Sequence, residues 1–107
     1  MKANTIILAL IILFVTAPAL GGPDYISGTI INYTAVSGGL LIMFDSGIPD
    51  NCAGTPYGWI IIPETEKTML AMALMRISQD NMQAAIYSSG QFYLGFCRAN
   101  QFNPQDY

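Results

Sequence analysis

The N-terminal segment most restricts what this chain can fold into. Met1 and Lys2 precede an unbroken apolar run over residues 6–15, and Ala17-Pro18-Ala19 follows. A positive start, about ten apolar residues and a small-x-small site are typical of an export signal peptide. The run is shorter than the roughly 20 residues that a bilayer span needs. We therefore expect residues 1–19 to be a signal peptide and residues 20–107 to fold as one secreted or periplasmic domain, without stable membrane insertion after cleavage.

The expected compartment determines how the two cysteines are interpreted. Cys52 and Cys97 are the only cysteines of the sequence. In an oxidising compartment an isolated pair predicts one disulfide, and the alternative is two separate buried thiols. The chain has no histidine, and two thiolates do not complete a tetrahedral zinc site. We expect neither a metal site nor a cofactor.

The charges argue against polyanionic partners. Once the signal is removed, the cations are Lys67, Arg76 and Arg98, against seven carboxylates. Three dispersed cations cannot neutralise a run of phosphates, so nucleic acid is not expected as a partner. Charged residues make up 10% of the sequence and hydrophobic residues 52%. This composition predicts a surface that is partly covered by copies of the chain, as a homo-oligomer, or by another exported protein.

The hydrophobic pattern predicts five strands and one helix. An imperfect alternation of apolar and polar residues begins at Tyr25, and Ser37-Gly38-Gly39 indicates a hairpin turn. Pro63 ends a run rich in isoleucine, and Thr65 is a candidate helix N-cap. The predicted strands cover residues 25–33, 40–44, 57–62, 82–88 and 92–102, with the helix from 65 to about 80.

The predicted helix has two apolar faces. Leu70, Ala73, Leu74 and Ile77 recur at helical spacing and would face the sheet. Three methionines lie outside that stripe, and they indicate either a wide contact with the sheet or an interface between subunits: Met69, Met72 and Met75.

This element order predicts an α+β fold that is mainly β. A five-stranded OB-like antiparallel barrel of order β-β-β-α-β-β, with one helix between strands 3 and 4, accounts for it and removes the sheet edges that an apolar chain could not safely expose. The alternative is an open antiparallel sheet with the helix on one face.

The signal, the run from Gly58-Trp59 to Pro63, the helix that follows and the late Cys97 also carry a resemblance. In this combination the chain resembles small exported bacterial proteins of unassigned activity. These in turn are similar to the sugar-binding B subunits of bacterial AB-type toxins, which are OB-folds assembled as rings of five. The resemblance implies a binding module that self-associates and recognises sugars.

The absence of histidine removes Ser-His-Asp and Cys-His mechanisms. Carboxylates could act only as pairs, and Asp45 with Asp50 or Glu64 with Glu66 are the candidates, for which solvation or helix capping is the simpler interpretation. We expect no catalytic residues and no enzyme activity, with an unidentified hydrolase as the remaining enzymatic hypothesis.

Aromatic residues are the positive signal for binding. OB-folds bind ligands across strands 2 and 3 and the flanking loops, which here are residues 34–39 and 88–91. Aromatic rings could stack on a sugar while loop hydroxyls and amides bond to it, or they could simply pack. The candidate ligand-binding residues are Tyr33, Ser37, Tyr57, Trp59, Ser89, Gln91 and Tyr93.

Two functions therefore compete. One is an exported module that binds glycan or a protein partner. The other is a structural or inhibitory protein that binds an exported protein through an apolar face and has no ligand of its own. Asn32-Tyr33-Thr34 is also a glycosylation sequon, relevant only in a host that modifies exported chains.

N-terminal sequencing of the protein released by an exporting cell tests the signal assignment. We expect the first residue to lie near position 20, because the small residues at 17 and 19 form the cleavage site. An N-terminus at Met1 in the released protein would contradict it.

Overall fold

The computed structural model describes residues 22–80 and 82–104. The expected signal peptide, Asn81 at the predicted helix end and the C-terminal residues 105–107 lie outside this range. Within it the chain is mainly β with one α-helix, as predicted, and the strands form one curled mixed sheet with the shape of a half-barrel.

The described residues contain seven strands rather than the predicted five. The helix α1 (Lys67–Ile77) follows the third strand, in the predicted place. The order across the sheet is β5-β6-β3-β2-β1-β4-β7. The strands are β1 (Tyr25–Val36), β2 (Gly39–Phe44), β3 (Ile60–Pro63), β4 (Gln83–Tyr87), β5 (Phe92–Tyr93), β6 (Phe96–Arg98) and β7 (Gln101–Pro104).

β1 is a long strand whose two halves have different neighbours. Its first half, as far as Thr29, pairs antiparallel with β4, and its second half pairs antiparallel with β2. The β1–β2 register shifts between Ile30 and Asn32, which makes Ile31 a bulge. A bulge increases the local twist and bends the strand. β1 thus crosses from one side of the curl to the other.

The strand predicted over residues 92–102 is divided into three. Leu94 and Gly95 both have positive φ, 53° and 86°, and they form the two-residue turn between β5 and β6. β6 then pairs parallel with β3, whereas β7 pairs antiparallel with β4. The purely antiparallel prediction is therefore wrong, because two residues, Ala99 and Asn100, carry the chain from one neighbour to the other.

The boundaries of β3 and α1 also differ from prediction. Tyr57 lies in a 3₁₀ turn (Pro56–Gly58) with φ 56°, so β3 begins only at Ile60. The helix N-cap is Glu66 rather than Thr65, and no side chain caps it. The Glu66 carboxylate instead pairs with Arg98 at 2.9 Å.

The core lies between the concave face of the sheet and one side of α1. Ala73 is fully buried there, and Leu70 and Ile77 pack against the core beside it. Leu74 was predicted to belong to this stripe, but its side chain is 49% exposed. Met69 packs against the core in its place, so the buried face of the helix is rotated toward Met69. The sheet residues of the core are Ile26, Ile30, Leu40, Ile42, Phe44, Ile60, Ile62, Ala84, Ile86, Ala99 and Phe102.

The predicted disulfide between Cys52 and Cys97 is formed, with a Cα–Cα distance of 5.4 Å and both residues buried. Hydroxyl groups surround it. Thr55 Oγ1 accepts a hydrogen bond from the Cys97 amide at 3.0 Å and donates to the Trp59 carbonyl at 2.6 Å. Ser88 Oγ donates to the Arg98 carbonyl at 2.7 Å. The long loop between β2 and β3 is thereby tied to β6.

No helix in the part of the chain that the structure describes is long and apolar enough to cross a membrane.

Replacing both cysteines by alanine should lower the free energy of unfolding by about 2–5 kcal/mol, the usual effect of removing a native disulfide from a small domain. The loop between β2 and β3 loses its covalent tie and gains entropy in the unfolded chain. Urea denaturation of the wild-type protein and the C52A/C97A double variant measures the difference. The reduced wild-type protein is the control and should match the variant, and equal midpoints with and without the disulfide would contradict the prediction.

Candidate functional site

The described residues form a groove between α1 and the end of the β1–β2 hairpin. It encloses about 240 Å³. One wall is the hairpin and the other is the helix, and Glu64 supplies the only charged side chain among the lining residues. We name it the hairpin–helix groove; it is lined by Ala35, Val36, Gly39, Leu40, Glu64, Leu70 and Leu74.

Strand register forms the hairpin wall. Ala35 lies opposite Leu40, and Val36 lies opposite Gly39. Directly opposite residues of antiparallel strands direct their side chains to the same face, so Ala35 shares the core-facing side of the sheet with Leu40. Only glycine fits at position 39, because the Cβ atom of any other residue would lie 2.5 Å from the Ile62 carbonyl oxygen. This glycine lets the hairpin end approach β3 closely.

The helix wall is formed by two leucines one turn apart. Leu70 packs against the core, whereas Leu74 is 49% exposed. Val36, on the hairpin, is 39% exposed, and it lies opposite Gly39 on the face of the sheet away from Ala35 and Leu40. Leu74 is therefore the partly exposed apolar side chain that the helix contributes to the groove.

A third exposed apolar residue comes from the β5–β6 turn. Leu94 is 56% exposed and has a left-handed backbone, which is costly for a residue with a branched side chain. Its Cδ1 atom reaches the β1–β2 turn, where it would lie 2.5 Å from a Cβ placed on Gly38. The turn of one hairpin therefore contacts the turn of the other beside the groove.

The backbone beside the groove forms an open sheet edge. All of residues 31–36 are exposed. Val36 and Gly39 close a two-residue turn and so exchange hydrogen bonds. The N–H and C=O groups of successive residues in a strand point to alternate sides, so those of Ala35 and Tyr33 point away from β2. On that side, the Ile30 amide donates to the Met82 carbonyl at 2.9 Å, and within residues 22–80 and 82–104 no strand pairs with β1 beyond this point.

Two of the seven predicted ligand-binding residues belong to this hairpin. Tyr33 lies opposite Ile42, on the same face as Ala35, and Ser37 lies in the turn. None of the seven lines the groove, and five of them lie outside this hairpin: Tyr57, Trp59, Ser89, Gln91 and Tyr93.

Those five residues lie in β5 and in the segments that precede β3 and β5. Tyr57 is 88% exposed in its 3₁₀ turn, and Trp59 next to it is half-buried. The Tyr93 ring is stacked under the Arg98 guanidinium at 5.7 Å. Ser89 and Gln91 are exposed in the connection from β4 to β5, where the Gln91 carbonyl accepts the Arg98 amide.

The methionines proposed for an interface divide into two groups. Met69 packs against the core, whereas Met72 and Met75 are exposed on the outer side of α1. The wide contact with the sheet therefore explains one of the three, and the other two remain available to a partner.

In the candidate carboxylate pair Asp45 and Asp50, one residue has a structural role. Asp45 Oδ1 accepts the Thr29 amide at 2.9 Å, beside the Asp45 amide that donates to the Thr29 carbonyl. Asp50 is exposed in the 3₁₀ turn before Cys52. Among the described residues, no group of three or more Cys, Asp or Glu side chains could hold a metal ion.

Three residues in or beside the groove were not predicted as functional: Val36, Leu74 and Leu94. Their sequence positions predicted a loop for Val36, the core for Leu74 and the middle of a strand for Leu94. A β-branched residue immediately before Ser37-Gly38 is a signal that could have extended the first strand to Val36. No local signal marks Leu74, because it shares the helical spacing of the core residue Leu70.

Comparison of the chain with family models, with curated proteins and with solved structures finds no match.

Alanine substitutions at the two groove leucines should show, by their effect on the free energy of unfolding, that Leu70 is a core residue and Leu74 a surface residue. Leu74→Ala should change the free energy of unfolding by less than about 0.5 kcal/mol, as exposed positions do. Leu70→Ala, one turn earlier, should cost more than about 1 kcal/mol because it removes contacts with the core. Urea denaturation of both variants measures this. Equal losses would show that Leu74 is a core residue and that its wall of the groove is not open.

Proposed function

We propose that this chain is an exported binding module whose hairpin–helix groove receives an apolar segment of a protein partner. The observation behind it is the groove itself, whose lining joins half-exposed Leu74 of the helix to the apolar residues Ala35 and Leu40 of the hairpin. Apolar walls with one carboxylate suit the side chains of a polypeptide better than the hydroxyl groups of a sugar. The signal sequence and the disulfide support export.

We further propose that the half-barrel is OB-like. The Ala99 amide donates to the Ile61 carbonyl and the Asn100 amide to the Tyr87 carbonyl, so neighbouring residues bond to β3 and to β4. A single final strand, bent at this point, would make both contacts in a five-stranded barrel. This connectivity supports the proposed kinship with OB-fold binding subunits.

Glycan recognition is the second candidate, and one observation favours it. Tyr57 is almost fully exposed and lies beside half-buried Trp59, and a solvent-facing aromatic ring can stack on a sugar. Self-association through Met72 and Met75 is compatible with either function.

A phage-displayed library of random 12-residue peptides, panned against the purified protein, tests the first proposal. We expect apolar sequences to be enriched and their binding to be lost in Leu74→Glu, which places a charge in the groove. Tyr57→Ser is the matched control: an exposed residue outside the groove, whose loss should leave peptide binding unchanged.

The opposite pattern would contradict the proposal. If no peptide is enriched, and a glycan array binds the wild-type protein but not Tyr57→Ser, the module recognises sugar and the groove is not its binding site.

A further inference from the structure

We propose that the partner segment binds as an added β-strand along the open edge of β1, with its backbone on residues 33–35 and its side chains in the hairpin–helix groove. This inference rests on the proposed function and states how the segment is held. An extended peptide that joins a sheet edge gains affinity from main-chain hydrogen bonds and specificity from alternate side chains.

The backbone groups that such a strand needs are present. The Ala35 amide and carbonyl and the Tyr33 carbonyl point away from β2, and they lie beyond the last contact with β4. Exposure of all six residues from 31 to 36 leaves this side accessible. An unpaired row of peptide groups is a ready template for another strand.

The bulge explains why the edge is open here. One extra residue at Ile31 turns β1 away from β4 after Ile30. The Asn32 side chain occupies one hydrogen-bonding group of this edge, because its Oδ1 accepts a hydrogen bond from the Tyr33 amide at 2.9 Å. Only this one outward donor is capped by a side chain, and the Ala35 amide next along the edge remains unpaired among the described residues.

The groove accepts the side chains of the added strand. A strand beside β1 places every second side chain on the face that holds Ala35 and Leu40. That face borders the groove, whose far wall is Leu74. The edge and the groove therefore act on the same segment, one through its backbone and the other through its apolar side chains.

The charge of Glu64 indicates which residues the partner segment should contain. Glu64 is exposed, and Lys67 nearby donates to the Glu64 backbone carbonyl at 3.3 Å rather than to its carboxylate. A lysine or arginine in the segment would complement the Glu64 carboxylate. A second copy of β1 would not, because residues 31–36 are uncharged. The occupant is thus an extended, apolar peptide with a basic residue, from a different protein.

The test uses the peptides enriched by panning. Ala35→Pro removes the outward amide at an edge position, where proline is tolerated, and should weaken peptide binding at least tenfold. Ala35→Val is the reference for added volume in the groove: it is similar in size to proline and keeps the amide, so it should bind the peptide at least tenfold more tightly than Ala35→Pro. Isothermal titration measures both.

A second measurement uses the unchanged protein, in case Ala35→Pro fails to fold. Methylating the peptide's backbone nitrogens one at a time should weaken binding at every second position, since only alternate amides face β1. In panning against Glu64→Gln, the enrichment of lysine and arginine should disappear.

Four results would overturn the inference. Equal affinity for Ala35→Pro and Ala35→Val, or N-methylation that is tolerated at all positions, would leave the groove as a site that does not use the edge. A dimer in sedimentation that Ala35→Pro abolishes would show that a second copy occupies the edge. If panning enriches no peptide, the proposed function fails and this inference fails with it.

Discussion

The bond between Cys52 and Cys97 is the connection on which the rest of the structure depends. It joins a loop with little regular structure to β6, a strand of three residues that pairs with β3 at only two positions. So short a parallel ladder contributes little by itself. The disulfide and the hydroxyls of Thr55 and Ser88 hold β6 in place, and β7 follows from there to β4.

This arrangement determines where the sheet is left open. Because β7 occupies the outer side of β4, and β4 pairs only with the first half of β1, the second half of β1 has β2 as its single neighbour among the described residues. The same half supplies one wall of the groove. Unpaired backbone and exposed apolar side chains therefore lie next to each other in this region, where one extended partner could cover both.

Features that depend on local pattern or on compartment could be predicted from the sequence. The disulfide follows from an isolated cysteine pair behind a predicted export signal, and the place of the helix follows from its apolar periodicity. The exposure of Leu74 could not be predicted: it has the same helical spacing as Leu70, but only Leu70 packs against the core. The division of residues 92–102 depends on long-range partners, since the Ala99 and Asn100 amides bond to different strands. For the site, the sequence indicated the hairpin residues Tyr33 and Ser37 but not the groove beside them.

The central claim is that β1 ends in an unpaired edge beside the groove. Residue-resolved amide hydrogen exchange, measured on the protein without a partner, tests this claim most directly. Thr34 and Ala35 are adjacent and both exposed, but only the Thr34 amide faces β2. The account predicts slow exchange at Thr34 and fast exchange at Ala35. Slow exchange at both would mean that the edge is already paired, and it would contradict the account.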